Sequence, residues 1–311
     1  MPVRRPVFSS SWDAIPKGRL QAPLIAQAAV QSLLAVLFPS DCRLCLQPLA
    51  HFSRLPVCSN CLQSLVPIRA VRCQQCSLPL PAGASDAGEV RCRGCRVYEP
   101  EFTRAASFGA YQDALRGVIH LLKYQRLREA ARPLARLAAE AALQLEGEID
   151  DDEAIFIPVP AYQVVQRERG FNQAELIARA AHKGIEESLR KKLRLETAVL
   201  RRVRFDASQV ARHRRERWVQ IRDSFAVTSA ATVRGREVLL IDDVMTTGAT
   251  ASECSRQLRL AGAKNVWVIT VARTLEKQQL DRGNQQPDQY QNAVTAAAQR
   301  VFAEDHSHGH S

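Results

Sequence analysis

Residues 238–250 constrain this chain more than any other stretch. They read Val-Leu-Leu-Ile-Asp-Asp-Val-Met-Thr-Thr-Gly-Ala-Thr. Four apolar residues, 238–241, predict a buried strand. Asp242 and Asp243 follow where that strand is expected to end, then a short Thr/Gly loop, then a helical pattern over about 249–260. In an open α/β sheet, ligands bind outside the carboxyl ends of the strands. A Thr/Gly loop at a helix start offers N–H groups, hydroxyls and the positive end of the helix dipole to a phosphate. The two carboxylates would repel that phosphate, so they must serve another part of the ligand. Ionised Asp only accepts hydrogen bonds, which suits the vicinal hydroxyls of a sugar. The stretch therefore reads as a sugar-phosphate cradle. It is not a Walker P-loop, because no Gly-Lys-Ser/Thr closes it.

An apolar strand, Asp-Asp, two residues and Thr-Thr-Gly-x-Thr resemble the 5-phosphoribosyl 1-pyrophosphate (PRPP) loop of type I phosphoribosyltransferases. The resemblance assigns PRPP binding to Asp242, Asp243, Val244, Thr246, Thr247, Gly248, Ala249 and Thr250, with Asp242 and Asp243 also the catalytic-type pair.

Eight of the nine cysteines form CxxC pairs: Cys42/Cys45, Cys58/Cys61, Cys73/Cys76 and Cys92/Cys95. Two residues between thiolates let a tight turn aim both sulfurs at one tetrahedral metal, and two such turns complete a four-thiolate zinc site. Four pairs predict two structural Zn2+ ions. Sequential pairing is the simplest arrangement, with an interleaved cross-brace the alternative. Disulfides would require an oxidising compartment, and a thioredoxin-like site uses one CxxC on a βαβ scaffold. The glycine common after the second Cys of such a turn is missing at Leu46, Leu62, Ser77 and Arg96. Few apolar residues surround the cysteines, so metal is expected to supply much of the folding energy. Residues 77–88 read as a loop within the second ribbon. Cys254 falls on the apolar side of the helix after residue 248 and is expected to be a buried core thiol.

At 311 residues the chain is long enough for two cores. The expected divisions are an N-terminal segment 1–40, a double zinc ribbon 41–100, an α/β domain 101–275 and a polar tail 276–311. The formal charge of +11 favours anionic partners and does not bear on fold. Residues 22–38 are apolar and follow Arg4, Arg5, Lys17 and Arg19, but Gln21, Gln27, Gln31 and Ser32 interrupt them and no Ala-x-Ala site follows. Leu24, Ile25, Ala28, Ala29, Leu33, Val36 and Leu37 fit one face of an amphipathic helix. No other segment approaches transmembrane length, so a cytoplasmic protein without a membrane span is expected.

Within the α/β domain, a strand is expected over 105–111 and helices over 114–124 and 129–145. Lys123, Arg126 and Arg128 cluster at the end of the first helix, a favourable place for cations. A buried strand at 155–160 ends in prolines. A basic, Gly-containing loop carrying Arg167 and Arg169 follows, and Asn172 with Glu175 forms an N-cap pattern for the next helix. That arrangement is a second anion site, with Pro160, Arg167 and Arg169 its pyrophosphate-loop residues. His120 and Glu175 are the candidate bases.

In order along the chain stand Leu37-Phe38-Pro39, the CxxC pairs, Ile119-His120-Leu121-Leu122-Lys123-Tyr124, Val159-Pro160, Arg169-Gly170-Phe171-Asn172-Gln173, Ser208-Gln209, a basic run ending at Phe225, and the 238–250 stretch. Together these resemble the ComF family, which includes the GntX-like proteins, over about residues 33–274. The chain departs from that pattern at Ser208, where the family has Thr, and over 220–224. The resemblance implies a type I phosphoribosyltransferase fold, a mostly parallel sheet flanked by helices, joined to an N-terminal ribbon domain of four-cysteine zinc sites. It implies Mg2+ with PRPP as ligand and transfer of phosphoribosyl to an acceptor that the family leaves open. It equally implies a non-catalytic role in handling single-stranded DNA during competence, beside the competence helicase.

Residues 201–222 hold eight arginines against Asp206 and Glu216. A solvated face, a pyrophosphate clamp and a nucleic-acid track are the competing readings. Arg212, Arg214, Arg215 and Arg217 are the candidate nucleic-acid contacts, with Phe205, Trp218 and Phe225 the few aromatics for stacking. The tail, ending in alternating His, is expected to be disordered.

Overall fold

The computed structural model describes residues 40–49, 53–81, 90–149, 154–185, 193–203 and 214–275. The amphipathic helix expected over 22–38, Arg212, Phe205 and the tail lie outside the described residues. So do the side chains of Arg214 and Arg215.

In chain order the elements are α1 (Ser59–Gln63), α2 (Arg93–Tyr98), β1 (Arg104–Ala110), α3 (Asp113–Lys123), α4 (Ala131–Ala142), β2 (Ala154–Pro158), α5 (Gln163–Arg169), α6 (Gln173–Gly184), β3 (Arg194–Leu195), β4 (Leu200–Arg202), α7 (Arg214–Gln220), β5 (Phe225–Val227), α8 (Ala230–Val233), β6 (Glu237–Met245), α9 (Ala249–Leu260) and β7 (Asn265–Arg273). No helix among the described residues is long and apolar enough to cross a membrane.

The chain divides into two compact units. Of the described residues, one unit holds 67–111 and 119–275, the other 40–66 and 112–118. In the larger unit, β1, β7, β6, β2 and β3 form one sheet in that order, and every neighbouring pair is parallel. Buried on both faces, these strands are near-continuous apolar runs, as such a sheet requires. Helix α4 presents Ala135, Ala138, Ala139 and Ala142 inward, and the small side chains let it lie close against α6, β1 and β7. Strands β4 and β5 form a separate antiparallel pair.

Two expectations are corrected here. Strand β6 does not end before the carboxylates: it runs through Asp242 and Asp243 to Met245, because β7 continues to pair with it as far as Met245↔Arg273. On the other side β2 stops at Pro158↔Ile241, so β6 is unpaired by β2 from Asp242 onward. Residues 163–169 are not a loop but the short helix α5, closed by Gly170 in the left-handed conformation at φ 79°.

The second cysteine group also differs from expectation. Cys73, Cys76, Cys92 and Cys95 are not short of apolar neighbours, since they share one buried cluster with Phe102, Ile155, Val238, Leu240 and Val268.

Candidate active site and metal centres

Asp242 and Asp243 lie at the carboxyl end of β6, on the edge that β2 has left. Asp243 is buried and Asp242 partly so. The Asp243 N–H donates to Asp242 Oδ1 at 2.8 Å, and Lys123 Nζ donates to Asp243 Oδ1 at 2.9 Å. Burial, then the charge of Asp243, pushes Asp242 up to about 7; Lys123 and Arg202 only partly offset this. Burial pulls Lys123 down, but the charges of Asp243 and Asp242 outweigh it and hold its pKa above the ordinary value. Lys123 is thus part of the acidic site rather than a simple counter-charge to the α3 dipole. Its place in the Ile-His-Leu-Leu-Lys-Tyr run sets it apart from Arg126 and Arg128.

Arg202, one of the eight arginines of residues 201–222, packs on two aromatic rings. Its guanidinium carbon lies 3.2 Å from the Tyr162 ring centroid and 5.0 Å from that of Phe225. Burial lowers its pKa, against the opposing pull of Tyr162 and, more weakly, the charge of Asp242. Lys123 contacts the carboxylate pair directly, and the charge of Arg202 acts on Asp242 without a contact. Cys254 is fully buried, and burial followed by the charge of Asp242 pushes its thiol well above the usual range, as befits a core thiol.

The loop after β6 turns at Gly248, whose φ of 82° is a conformation that suits glycine. Helix α9 then starts at Ala249, with Thr247 Oγ1 accepting from the Ala249 N–H at 3.3 Å. Thr246 is exposed, and Thr247 and Thr250 are partly exposed. Arg217 Nη1 donates to Thr246 Oγ1 at 3.5 Å, so one of the four arginines assigned to nucleic acid reaches the loop. Beneath the loop, Arg273 Nη1 donates to the carbonyls of Met245, at 2.9 Å, and Thr246.

On the β2 side, Val159 N–H donates to Ile241 O at 2.9 Å, which places Pro160 beside the carboxyl end of β6. Arg167 is exposed. Arg169 lies over the Tyr124 ring at 5.2 Å, Arg126 donates to Glu168 O and Arg128 donates to Gly170 O at 3.2 Å. The end of α3 and the segment after it thus brace α5. Asn172 caps α6 by accepting from the Ala174 N–H at 3.1 Å. Glu175 does not reach back to close a capping box; it pairs with Arg179. His120 shares a hydrogen bond of 3.0 Å with Tyr111 Oη.

The aromatics named for stacking are corrected. Phe225 is buried under Arg202 and presents no face to solvent. Trp218 is already stacked on Tyr98, with centroids 5.1 Å apart.

The cysteines gather as Cys42, Cys45, Cys58, Cys61 and as Cys73, Cys76, Cys92, Cys95, the sulfurs of each group within 4.8 Å of one another. This is the sequential pairing. Sulfur separations of 3.9, 3.6 and 3.7 Å compare with roughly 3.8 Å for four thiolates at tetrahedral Zn–S distances. The groups share one local design. Cys42 and Cys73 open turns whose fifth residues, Leu46 and Ser77, take φ 61° and 58°. These are where the missing glycines would matter, whereas Leu62 and Arg96 lie within α1 and α2. Cys58 and Cys92 cap those helices, their sulfurs accepting from Cys61 N and Cys95 N. Burial opposes ionisation of Cys42, but N–H groups of Cys58, Cys45 and Leu44 bring it down to about 7. Hydrogen bonds from Cys76, Cys92 and Cys95 draw Cys73 far below the ordinary thiol range. Both groups suit a tetrahedral divalent ion with structural ligation and no open position.

Residues 174–298 match the phosphoribosyl transferase domain and residues 33–96 the double zinc ribbon domain. The DNA utilization protein YhgH of Escherichia coli is 30% identical over 247 residues, 76% of this chain and 98% of that protein. Competence protein F of Haemophilus influenzae is 28% identical, covering 72% of this chain and 93% of that protein. Competence protein ComFC of Bacillus subtilis is 24% identical over 70% and 84% respectively. Two domain matches in this order, with a relative aligned over nearly its whole length, lead to one assignment: the chain belongs to the ComF family.

Proposed function

We propose that residues 242–250 bind the phosphoribosyl group of PRPP and that the chain transfers it to an acceptor. The observation that carries this reading is the juxtaposition at one strand end: the Asp242/Asp243 pair beside the Thr246–Thr247–Gly248 turn that opens α9. In this reading Asp242 and Asp243 accept from the ribose hydroxyls. Thr246, Thr247, Gly248 and Thr250 hold the 5-phosphate with hydroxyls and helix-start N–H groups. The pyrophosphate lies toward Pro160, with Arg202 on the Tyr162 ring and Arg167 and Arg169 on α5 as its candidate cations. Mg2+ held with the pyrophosphate would supply charge neutralisation there, while the side chains named above hold the sugar and the 5-phosphate. Bond cleavage passes through an oxocarbenium-like state, so the side chains act by positioning and by charge. The zinc ions hold the two cysteine groups and take no part in the chemistry. In this reading the protein acts in the cytoplasm.

Calorimetric titration with Mg2+-PRPP and with ribose 5-phosphate tests this, repeated with Asp242→Ala and Asp243→Ala. Saturable binding that both substitutions weaken supports it. No binding at millimolar ligand removes it.

A second reading rests on exposed Arg201, Arg217 and Arg222 and on relatives whose names refer to DNA utilization and competence. There the site anchors a protein that holds single-stranded DNA by its phosphates. Affinity for an oligonucleotide would fall steeply with salt, and changing these arginines to Ala would flatten that dependence. An unchanged slope rejects it.

A further inference from the structure

Arg273 ends β7, and it is a cation with 1% of its surface exposed. Its partners among the described residues are carbonyls and a sulfur, with no carboxylate. Nε donates to Cys76 O at 3.2 Å, and Nη2 points to Cys76 Sγ at 3.7 Å. Nη1 donates to Met245 O at 2.9 Å, to Thr246 O, and to Thr274 O at 3.4 Å. One planar fork therefore grips a metal-type cysteine with one edge and the loop after β6 with the other.

A buried guanidinium without an anion is costly. Four thiolates around Zn2+ form a net dianion, and Cys76 is one of the four. The counter-charge of Arg273 is thus the second zinc centre itself. Ligand sulfurs and their outer-shell donors orient one another in such sites. On the loop side, the peptides are trans. Holding the Met245 and Thr246 carbonyls beneath the loop turns the N–H groups of Thr246 and Thr247 to its opposite side. A phosphate at the start of α9 needs donors on that side.

We infer that Arg273 is a positioning residue that makes the anion-binding geometry of residues 245–248 depend on the metal held by Cys73, Cys76, Cys92 and Cys95. The ligand half of this inference rests on the sugar-phosphate reading above; the coupling half does not.

The test uses the full zinc-loaded chain and Arg273→Met. The first measurement is amide hydrogen exchange at Ala249 and Ser252, whose N–H groups donate to Thr247 Oγ1 and Gly248 O, with the β6 core at 238–241 as internal control. The second is release of the two zincs to a chelator. The third is affinity for ribose 5-phosphate. The expected result for Arg273→Met is faster exchange at Ala249 and Ser252 with 238–241 unchanged, about tenfold faster release of one zinc and not the other, and about tenfold weaker ribose 5-phosphate binding. A folded Arg273→Met with exchange or zinc release like the unmodified chain overturns the coupling. Should this variant not fold, the unmodified chain decides by partial chelation. Loss of protection confined to Ala249 and Ser252 supports the coupling. Unchanged protection there, or equal loss at 238–241, overturns it. If the unmodified chain does not bind ribose 5-phosphate, the proposed function fails, while exchange and zinc release still judge the coupling.

Discussion

Lys123 Nζ donates to Asp243 Oδ1 across 2.9 Å, with only 16% and 9% of the two side chains exposed. The pair ties the end of α3 to the end of β6, within the larger unit. Its lysine sits directly on a carboxylate that we propose binds the sugar.

Breaking this pair from one side leaves a buried charge alone. Lys123→Met is expected to destabilise the chain by about 3 kcal/mol. Adding Asp243→Asn recovers part of that loss, because the stranded charge is then gone. Urea unfolding of the two variants measures it, and a neutral single variant would show that the pair contributes nothing.

Asp242 gives a pH dependence of defined sign. Its carboxyl is raised to about 7 in the folded chain, against about 3.9 when unfolded. The folded state therefore binds the proton more tightly, and this contribution is full below about pH 4. It is lost as pH rises through about 7. The melting temperature of Asp242→Asn relative to the unmodified chain is expected to climb between pH 4 and 7 and then level off. A constant difference across that window contradicts the assignment.

Gly248 tests the loop. A Cβ there would meet Met245 Sδ and the Phe102 ring at 3.9 Å, ordinary contact distance, so a single methyl is opposed by φ 82° and not by crowding. Gly248→Ala is expected to cost about 1–2 kcal/mol and to weaken ribose 5-phosphate binding together with stability. Thermal unfolding and calorimetry report both. Undiminished stability would mean the turn tolerates the side chain.

The two cysteine groups should differ under substitution. Metal analysis of the full chain is expected to give close to two zinc ions. Cys76 is 3% exposed and belongs to the sheet's buried cluster, whereas Cys45 is partly exposed in the other unit. Cys76→Ser is expected to lower the unfolding temperature far more than Cys45→Ser, each retaining one zinc. Equal shifts would contradict the shared core.

What the sequence disclosed follows from how local each signal is. The 238–250 stretch and the CxxC pairs are short patterns whose geometry is set within a few residues, so strand, loop, helix and both metal groups were legible. Lys123, Arg202 and Arg273 were not. Each acts across a long span of sequence, and a lone basic residue at an element's end looks the same whether it meets water or a carboxylate. Arg273 left one trace, as the charge that closes the stretch 266–272, apolar but for Thr270. The end of β6 was misplaced because pairing is decided by a neighbour: β7 carries on past Asp242 where β2 does not. The helix at 163–169 escaped notice because its residues are largely exposed and show no apolar stripe.

The shared cluster around Cys73 and Cys95 has a consequence for dissection. The two matched regions, 33–96 and 174–298, do not overlap in sequence, yet Leu78, Cys92 and Cys95 are buried with Val238, Met245 and Val268. A chain begun at Glu101 would keep the sheet but strip one wall from its interior, baring apolar surface that normally never meets water. Sequence modules and folding units part company here, and a truncation meant to isolate the α/β half must begin upstream of Cys73.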